Sequence, residues 1–306
     1  MEWEQSREST NIEDRRGEGG GGFSIGGGGG GLGIGAILVL AAIGYFTGID
    51  PRILIGGAEI LTGSGGGAIH QTPTQSAPTQ SAPTQTAQTQ TAAQNDPTRR
   101  FVAKILGQTE DVWTKILPEQ KGVKYVPPTL VLYSGATRSG CGQAQSAMGP
   151  FYCPNDKKVY LDMSFFNDMR SKYGGGGDFA YAYVVAHEIG HHVQDQLGIL
   201  TKVDEAKAQV SRTQANALSV RIELMADCLA GVWAYNANQQ WRVLDPGDVE
   251  KALATAQAIG DDRLQKAAQG YAVPDSFTHG TSALRQKWLQ TGLDSGQIDS
   301  CNTFKQ

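Results

Sequence analysis

A chain of 306 residues with a formal charge of −4 and 40% hydrophobic residues has enough apolar surface to bury one or two compact cores. It is not disordered throughout, and it lacks the long Lys/Arg run that would give a footprint for wrapping a nucleic-acid backbone. Of its 40 glycines, 21 fall within the first 67 residues, so two compositions are joined end to end.

Residues 1–31 are charged and then nearly pure glycine ("GEGGGGFSIGGGGGG"), too poor in apolar side chains to offset the entropy of ordering, and they read as a flexible tail. Residues 32–49, "LGIGAILVLAAIGYFTGI", are uncharged and as a helix would span roughly 27 Å, about one hydrocarbon core. The run reads as a single transmembrane helix; a buried core helix and a cleaved signal peptide are the alternatives. Interior glycines disfavour the first alternative. The long acidic stretch before the run, and the lack of an Ala-x-Ala-like site after Phe46, disfavour the second. Arg15 and Arg16 on one side against Arg52 on the other place the amino terminus in the cytoplasm and the rest of the chain outside the membrane, in the periplasm or beyond the cell. Residues 50–97, with "TQSAPTQSAPTQTAQTQTAAQ", have almost nothing to bury and read as a disordered linker.

The remaining stretch, 98–306, is long enough for one compact domain. "RRFVAKILGQTEDVWTKILP" sets Phe101, Ile105, Val112 and Ile116 at helical spacing and predicts a helix ending at Pro118. "TLVLYSG" is a short strand, and "GPFYCPNDKKVYLDMSFF" is a hairpin turning at Pro154, Asn155 and Asp156. A short helix stops at Gly174–Gly177. Asp178 can cap the next one, "FAYAYVVAHEIGHHVQDQLG", which ends at Gly198. Thr201 to Thr213 are polar, helical or mobile. "NALSVRIELMADCLAGVWAYNAN" then aligns Leu218, Ile222, Met225 and Leu229 on one face and predicts a second long helix packed on the first, with further helices to follow. The order predicts an α+β domain, mostly helical, with a small antiparallel sheet.

The four cysteines lack the C-x-x-C pairs of a zinc ribbon. Two disulfides are the economical reading, Cys141–Cys153 closing a loop and Cys228–Cys301 pinning the tail to a helix, and both fit an oxidising compartment. Buried free thiols are the alternative.

In "VVAHEIGHHVQDQLG" three of the five histidines stand beside a glutamate. Residues four apart on a helix lie about 40° apart around the axis, so His187 and His191 present two imidazoles to one point and can chelate a zinc ion. Glu188, at the rim of that face, can reach a water but not easily the metal. A catalytic zinc usually has three protein ligands and one open position, so a third ligand is required downstream. His279 is one candidate and Glu223 in "IELMAD" a better one, being on the helix already packed against the first. Asp227, four residues on, can accept a hydrogen bond from the distal nitrogen of a liganding imidazole and fix its orientation. His192 lies about 100° around the helix from His191 and reads either as a cleft-wall residue supporting a ligand or as a packed histidine.

"HEIGH" followed by "ELMAD" resembles the gluzincin metallopeptidases. With "YCPNDKKVYLD", "ELMADCLAG" and "FTHGTSALRQKW", the stretch from Thr98 to Phe304 resembles the bacterial neutral zinc metallopeptidases, a family of predicted membrane-tethered proteins. The resemblance implies His187, His191 and Glu223 as zinc ligands and Glu188 as the catalytic glutamate. It further implies an oxyanion-stabilising group across the cleft, for which His279 is the first candidate and Tyr271 and Tyr160 are weaker ones. A substrate strand lies along the sheet edge in gluzincins, which nominates Val159 to Leu161 for holding an extended peptide or protein substrate. The competing expectation is a zinc-stabilised envelope scaffold that cleaves nothing.

Overall fold

The computed structural model describes residues 1–16, 96–172 and 176–305. Eight helices and six strands are found among them. The first long helix, α1 (Pro97–Lys121), starts where Asp96 accepts hydrogen bonds from the Thr98 and Arg99 amides, with Pro97 at the first helical position, where no amide is missed. It continues one turn past the predicted stop. Pro118 forfeits a single amide bond in the last turn, and Gly122, at φ 66°, closes the helix on the Pro118 carbonyl.

Strands β2 (Thr129–Tyr133), β5 (Phe151–Cys153) and β6 (Lys158–Asp162) follow, with a separate hairpin of β3 (Ala136–Ser139) and β4 (Gly142–Gln145) between β2 and β5. The main sheet corrects the antiparallel expectation. Its order is β1-β2-β6-β5; β2 and β6 run parallel, and only the predicted β5–β6 hairpin is antiparallel. The near-continuous apolar run of β2, buried from Leu130 to Tyr133, is what a strand covered on both faces requires.

The fourth strand, β1 (Ile12–Asp14), comes from the segment expected as a free tail. It pairs in parallel with β2, Ile12 opposite Leu130 and Asp14 opposite Leu132. Residues 3–11 cross α1 over a buried polar face. Glu110 accepts from Ser9 Oγ at 2.6 Å, Asn11 Nδ2 at 2.7 Å and Arg7 Nη2 at 2.7 Å, while Lys104 donates to the Ser6 carbonyl at 2.9 Å. At the crossing, a Cβ on Gly107 would meet Arg7 O at 2.5 Å, so only glycine lets the segment lie this close. Trp3 packs edge-on against Phe101 and donates to Asp178, whose carboxylate is thereby spent on Trp3 instead of capping its own helix.

This arrangement overturns the single-pass topology. With β1 bonded into the same sheet as β2, the amino-terminal segment and the domain after residue 96 lie on one side of any barrier, which a lone crossing between residues 16 and 96 forbids. No helix among the described residues is long and apolar enough to cross a membrane. The apolar run 32–49 and most of the expected linker fall outside the described residues.

Helix α2 (Ser164–Lys172) precedes α3 (Asp178–Gln196), and Gly198 in the left-handed region ends α3 as expected. The polar stretch after it is mainly helix, α4 (Ile199–Lys207), and a Ser211–Gln214 capping box opens α5 (Arg212–Trp241). Helices α6 (Asp248–Ala258), α7 (Asp261–Gln269) and α8 (Ser282–Ser295) complete the chain. Helix α8 lies directly on α5: a Cβ on Gly292 would overlap the Cys228 carbonyl, and one on Gly231 the Leu289 carbonyl. Both expected disulfides, Cys141–Cys153 and Cys228–Cys301, are formed.

Two substitutions test these contacts. Gly292→Ala should lower unfolding stability by about 1–3 kcal/mol or more, read by thermal melting, because the backbones of α5 and α8 must separate. Gly107→Ala should raise amide exchange and protease cutting in residues 4–11 while leaving metal uptake intact; equal protection in both proteins would show that the segment does not rest on α1.

Candidate metal centre

The site is built where α3 and α5 touch. Gly190 makes this possible: a Cβ there would stand 3.1 Å from Ala226 O and 3.2 Å from its Cα, so the glycine of "HEIGH" brings the second helix within reach of the first. His187 and His191, one turn apart on α3, then meet Glu223 of α5. Glu223 Oε2 lies 3.1 Å from His187 Nε2, and Oε1 lies 3.5 Å from His191 Nε2. One ligand atom from each of the three falls within 4.8 Å of the others.

The outward nitrogens are fixed by other partners. His187 Nδ1 faces Asp227 Oδ1 at 2.9 Å, and His191 Nδ1 faces Gln194 Oε1 at 3.0 Å, so both Nε2 atoms are left pointing at the common centre. Gln194 is itself held by donating to the Ile222 carbonyl at 2.7 Å. Asp227 is completely buried and accepts from Tyr183 Oη at 2.6 Å and from Arg285 through Nε at 2.9 Å and Nη2 at 2.8 Å. Tyr183, Gln194 and Arg285 were not singled out from the sequence. A signal existed for Arg285: in "TSALRQKWL" an arginine shares a helix face with Trp288 and Leu289, and a buried guanidinium demands a carboxylate partner.

Electrostatics follow from this packing. Burial opposes a charge on His187, but hydrogen bonds to Asp227 and Glu223 outweigh it and push its pKa up to about 10. His191 is also raised, burial again opposing and the Glu223 charge prevailing. Burial would raise Glu223 and Asp227; the charges on His191 and His187 instead hold Glu223 well below the usual carboxylate range, and Arg285 brings Asp227 down to about 2. A cation bound at the two Nε2 atoms would compete with a proton there, so its uptake would release protons. Two imidazole nitrogens and a carboxylate oxygen converging in this way fit zinc, with positions left open for water and substrate.

Glu188 is buried beside His187, yet among the described residues no hydrogen bond or ion pair reaches its carboxylate. It opens into a cavity of about 510 Å³ that His187, His191, Glu223, His279 and Arg285 also line. Its lining also includes Met148 to Tyr152, in part edge strand β5, and Leu200 and Asp204 of α4.

The remaining candidates separate. His279 stands at this cavity, half-exposed, with its ring Nδ1 3.2 Å from Asp261 Oδ1 and its amide donating to Asp261 Oδ2 at 2.7 Å. His192 points elsewhere. It is buried against β5 and the loop before β2, Nδ1 3.0 Å from Tyr152 Oη and Nε2 2.7 Å from the Val126 carbonyl. Tyr160 donates to Asp156 and stacks on Phe151, and Tyr271 is exposed; neither lines the cavity. The strand Val159 to Leu161 is also displaced as a peptide-binding edge, because β6 is paired on both sides; among the described residues β1 and β5 are the sheet's edges, and β5 is the one at the cavity.

The chain is 48% identical over 308 residues to the "Uncharacterized protein YpfJ" of Escherichia coli (strain K12), covering 99% of both chains. It is 44% identical over 203 residues to the "Uncharacterized protein Rv2575" of Mycobacterium tuberculosis (strain ATCC 25618 / H37Rv), covering 63% of this chain and 66% of that one, and equally to the "Uncharacterized protein Mb2605" of Mycobacterium bovis. No solved structure matches it. The family described as "Putative neutral zinc metallopeptidase" matches residues 1–304, amino-terminal segment included, and the chain belongs to that family.

Proposed function

We propose that the protein is a zinc-dependent peptidase that hydrolyses peptide bonds of extended peptide or protein segments. The observation that carries this reading is the pairing of a three-ligand His187–His191–Glu223 centre with the unengaged carboxylate of Glu188 in the same cavity. A purely structural zinc site takes four protein ligands and needs no free carboxylate next to it. The scaffold alternative therefore leaves Glu188 without a role.

When bound, zinc supplies Lewis-acid polarisation of a scissile carbonyl and lowers the pKa of a water toward about 7. Glu188 takes the proton of the attacking water and returns it to the departing amine. Asp227 holds the His187 ring in one tautomer, and Arg285, bonded to both Asp227 oxygens, keeps that carboxylate from rotating. His279, held by Asp261 at the same cavity, would donate to the oxyanion of the tetrahedral intermediate. The open edge of β5 offers main-chain groups along the cavity wall to an extended substrate, which favours recognition of backbone over side chain.

Glu188→Gln should retain stoichiometric zinc, measured by atomic absorption, and lose about a hundred- to ten-thousandfold in peptide hydrolysis; undiminished cleavage in that variant rules out the mechanism. Asp227→Asn should weaken zinc binding by about 10–100-fold in a competition titration with a chromophoric chelator, and should lower the melting temperature of the zinc-free protein because Arg285 loses its buried counter-charge.

A further inference from the structure

The charged side chains around the cavity are almost all committed. Arg285 is bonded to Asp227, and His279 leans on Asp261. Glu223 faces both imidazoles, and Glu188 stands beside His187, so these two carboxylates belong to the candidate metal centre itself. Asp204 is the exception. It lines the same cavity from α4, one turn after Leu200 on the same helix face, and its side chain is 70% exposed. Among the described residues its ionic partner is Lys207 at 3.8 Å, further along α4 and off the cavity wall. The same cavity is also lined by Met148, Pro150 and Phe151, which carry no charge.

We propose that Asp204 is a specificity-determining residue that selects substrates carrying a lysine or arginine side chain in the subsite under α4, with apolar residues beside it along the β5 wall. The inference rests on the peptidase reading and deepens it. A carboxylate at a partly exposed cavity wall gains only a modest Coulomb energy from a substrate cation, so the preference is graded and salt-sensitive. The i, i+4 neighbour Leu200 supplies the apolar contact for the stem of a lysine or arginine, which buries its methylenes while its head stays at the rim.

The test uses the full-length, zinc-loaded protein and matched fluorescent ten-residue peptides with Lys, Gln or Glu at each position in turn. Binding is read by anisotropy on Glu188→Gln protein, which reports charge preference whether or not any bond is cut, and kcat/KM is read on the wild type. At one position the Lys peptide should bind and be cleaved roughly two- to fivefold better than the Glu peptide at low salt. Asp204→Asn should erase that ratio, Asp204→Lys should invert it, and Glu205→Gln, next in sequence but off the cavity wall, should leave it unchanged. Equal Lys and Glu affinities at every position in the parent, or a preference that survives Asp204→Asn, overturns the assignment. Charge-selective binding with no cleavage by the wild type would instead uphold the Asp204 subsite and remove the peptidase reading.

Discussion

The distance between α3 and α5 at Gly190 and Ala226 governs the centre. Any side chain at position 190 would press on the Ala226 backbone, with its Cβ 3.1 Å from the carbonyl oxygen, and the helices would have to part. Glu223 lies one turn before Ala226 and Asp227 immediately after it, so a separation of even an ångström would pull both carboxylates from His187 together. The fold reinforces this contact from behind. Gly231 and Gly292 seat α8 on the other side of α5, and α8 carries the Arg285 that grips Asp227. The glycines thus act as spacers that set three helices at the separations the polar cluster needs.

The Asp227–Arg285 pair is a poor investment if stability is its only role. Two charges removed from water are offset by their attraction only when every hydrogen bond is made, and apolar residues of similar volume often serve as well. Here the bonds are made: Tyr183 Oη, two Arg285 nitrogens and His187 Nδ1 surround the carboxylate, and both its oxygens are occupied. What an apolar replacement lacks is a negative group of fixed direction behind the His187 ring. The pair is therefore better explained by orientation than by energy, and its burial keeps solvent from competing for the His187 Nδ1 proton.

The local features that repeat along the chain were legible in its sequence. The spacing of His187 and His191, the helix carrying Glu223, the Pro154–Asp156 hairpin and both cysteine pairs all follow from helical period, turn chemistry and residue type. What escaped depends on contacts between distant segments. "NIEDRR" has no strand periodicity, and Ile12–Asp14 becomes a strand only because β2 offers an open edge and Glu110 a buried acceptor. The parallel pairing of β2 with β6 was hidden because a buried apolar strand reads the same in either direction. His192 was ambiguous since its angle on the helix is known from sequence while its neighbour, Tyr152, is not.

That same histidine explains how strand β5 keeps its distance from the metal donors. His191 and His192 are adjacent but face about 100° apart, so α3 contributes a metal donor on one side and, through His192 and Asp195, a grip on Tyr152 of β5 on the other. Tyr152 Oη donates to Asp195 Oδ2 at 2.9 Å while lying 3.0 Å from His192 Nδ1, which ties the open sheet edge to the helix bearing His187 and Glu188. The cleft wall and the metal donors thus share a single rigid element. Any displacement of α3 carries both together, so their mutual geometry survives motions that would misalign a site assembled from independent loops.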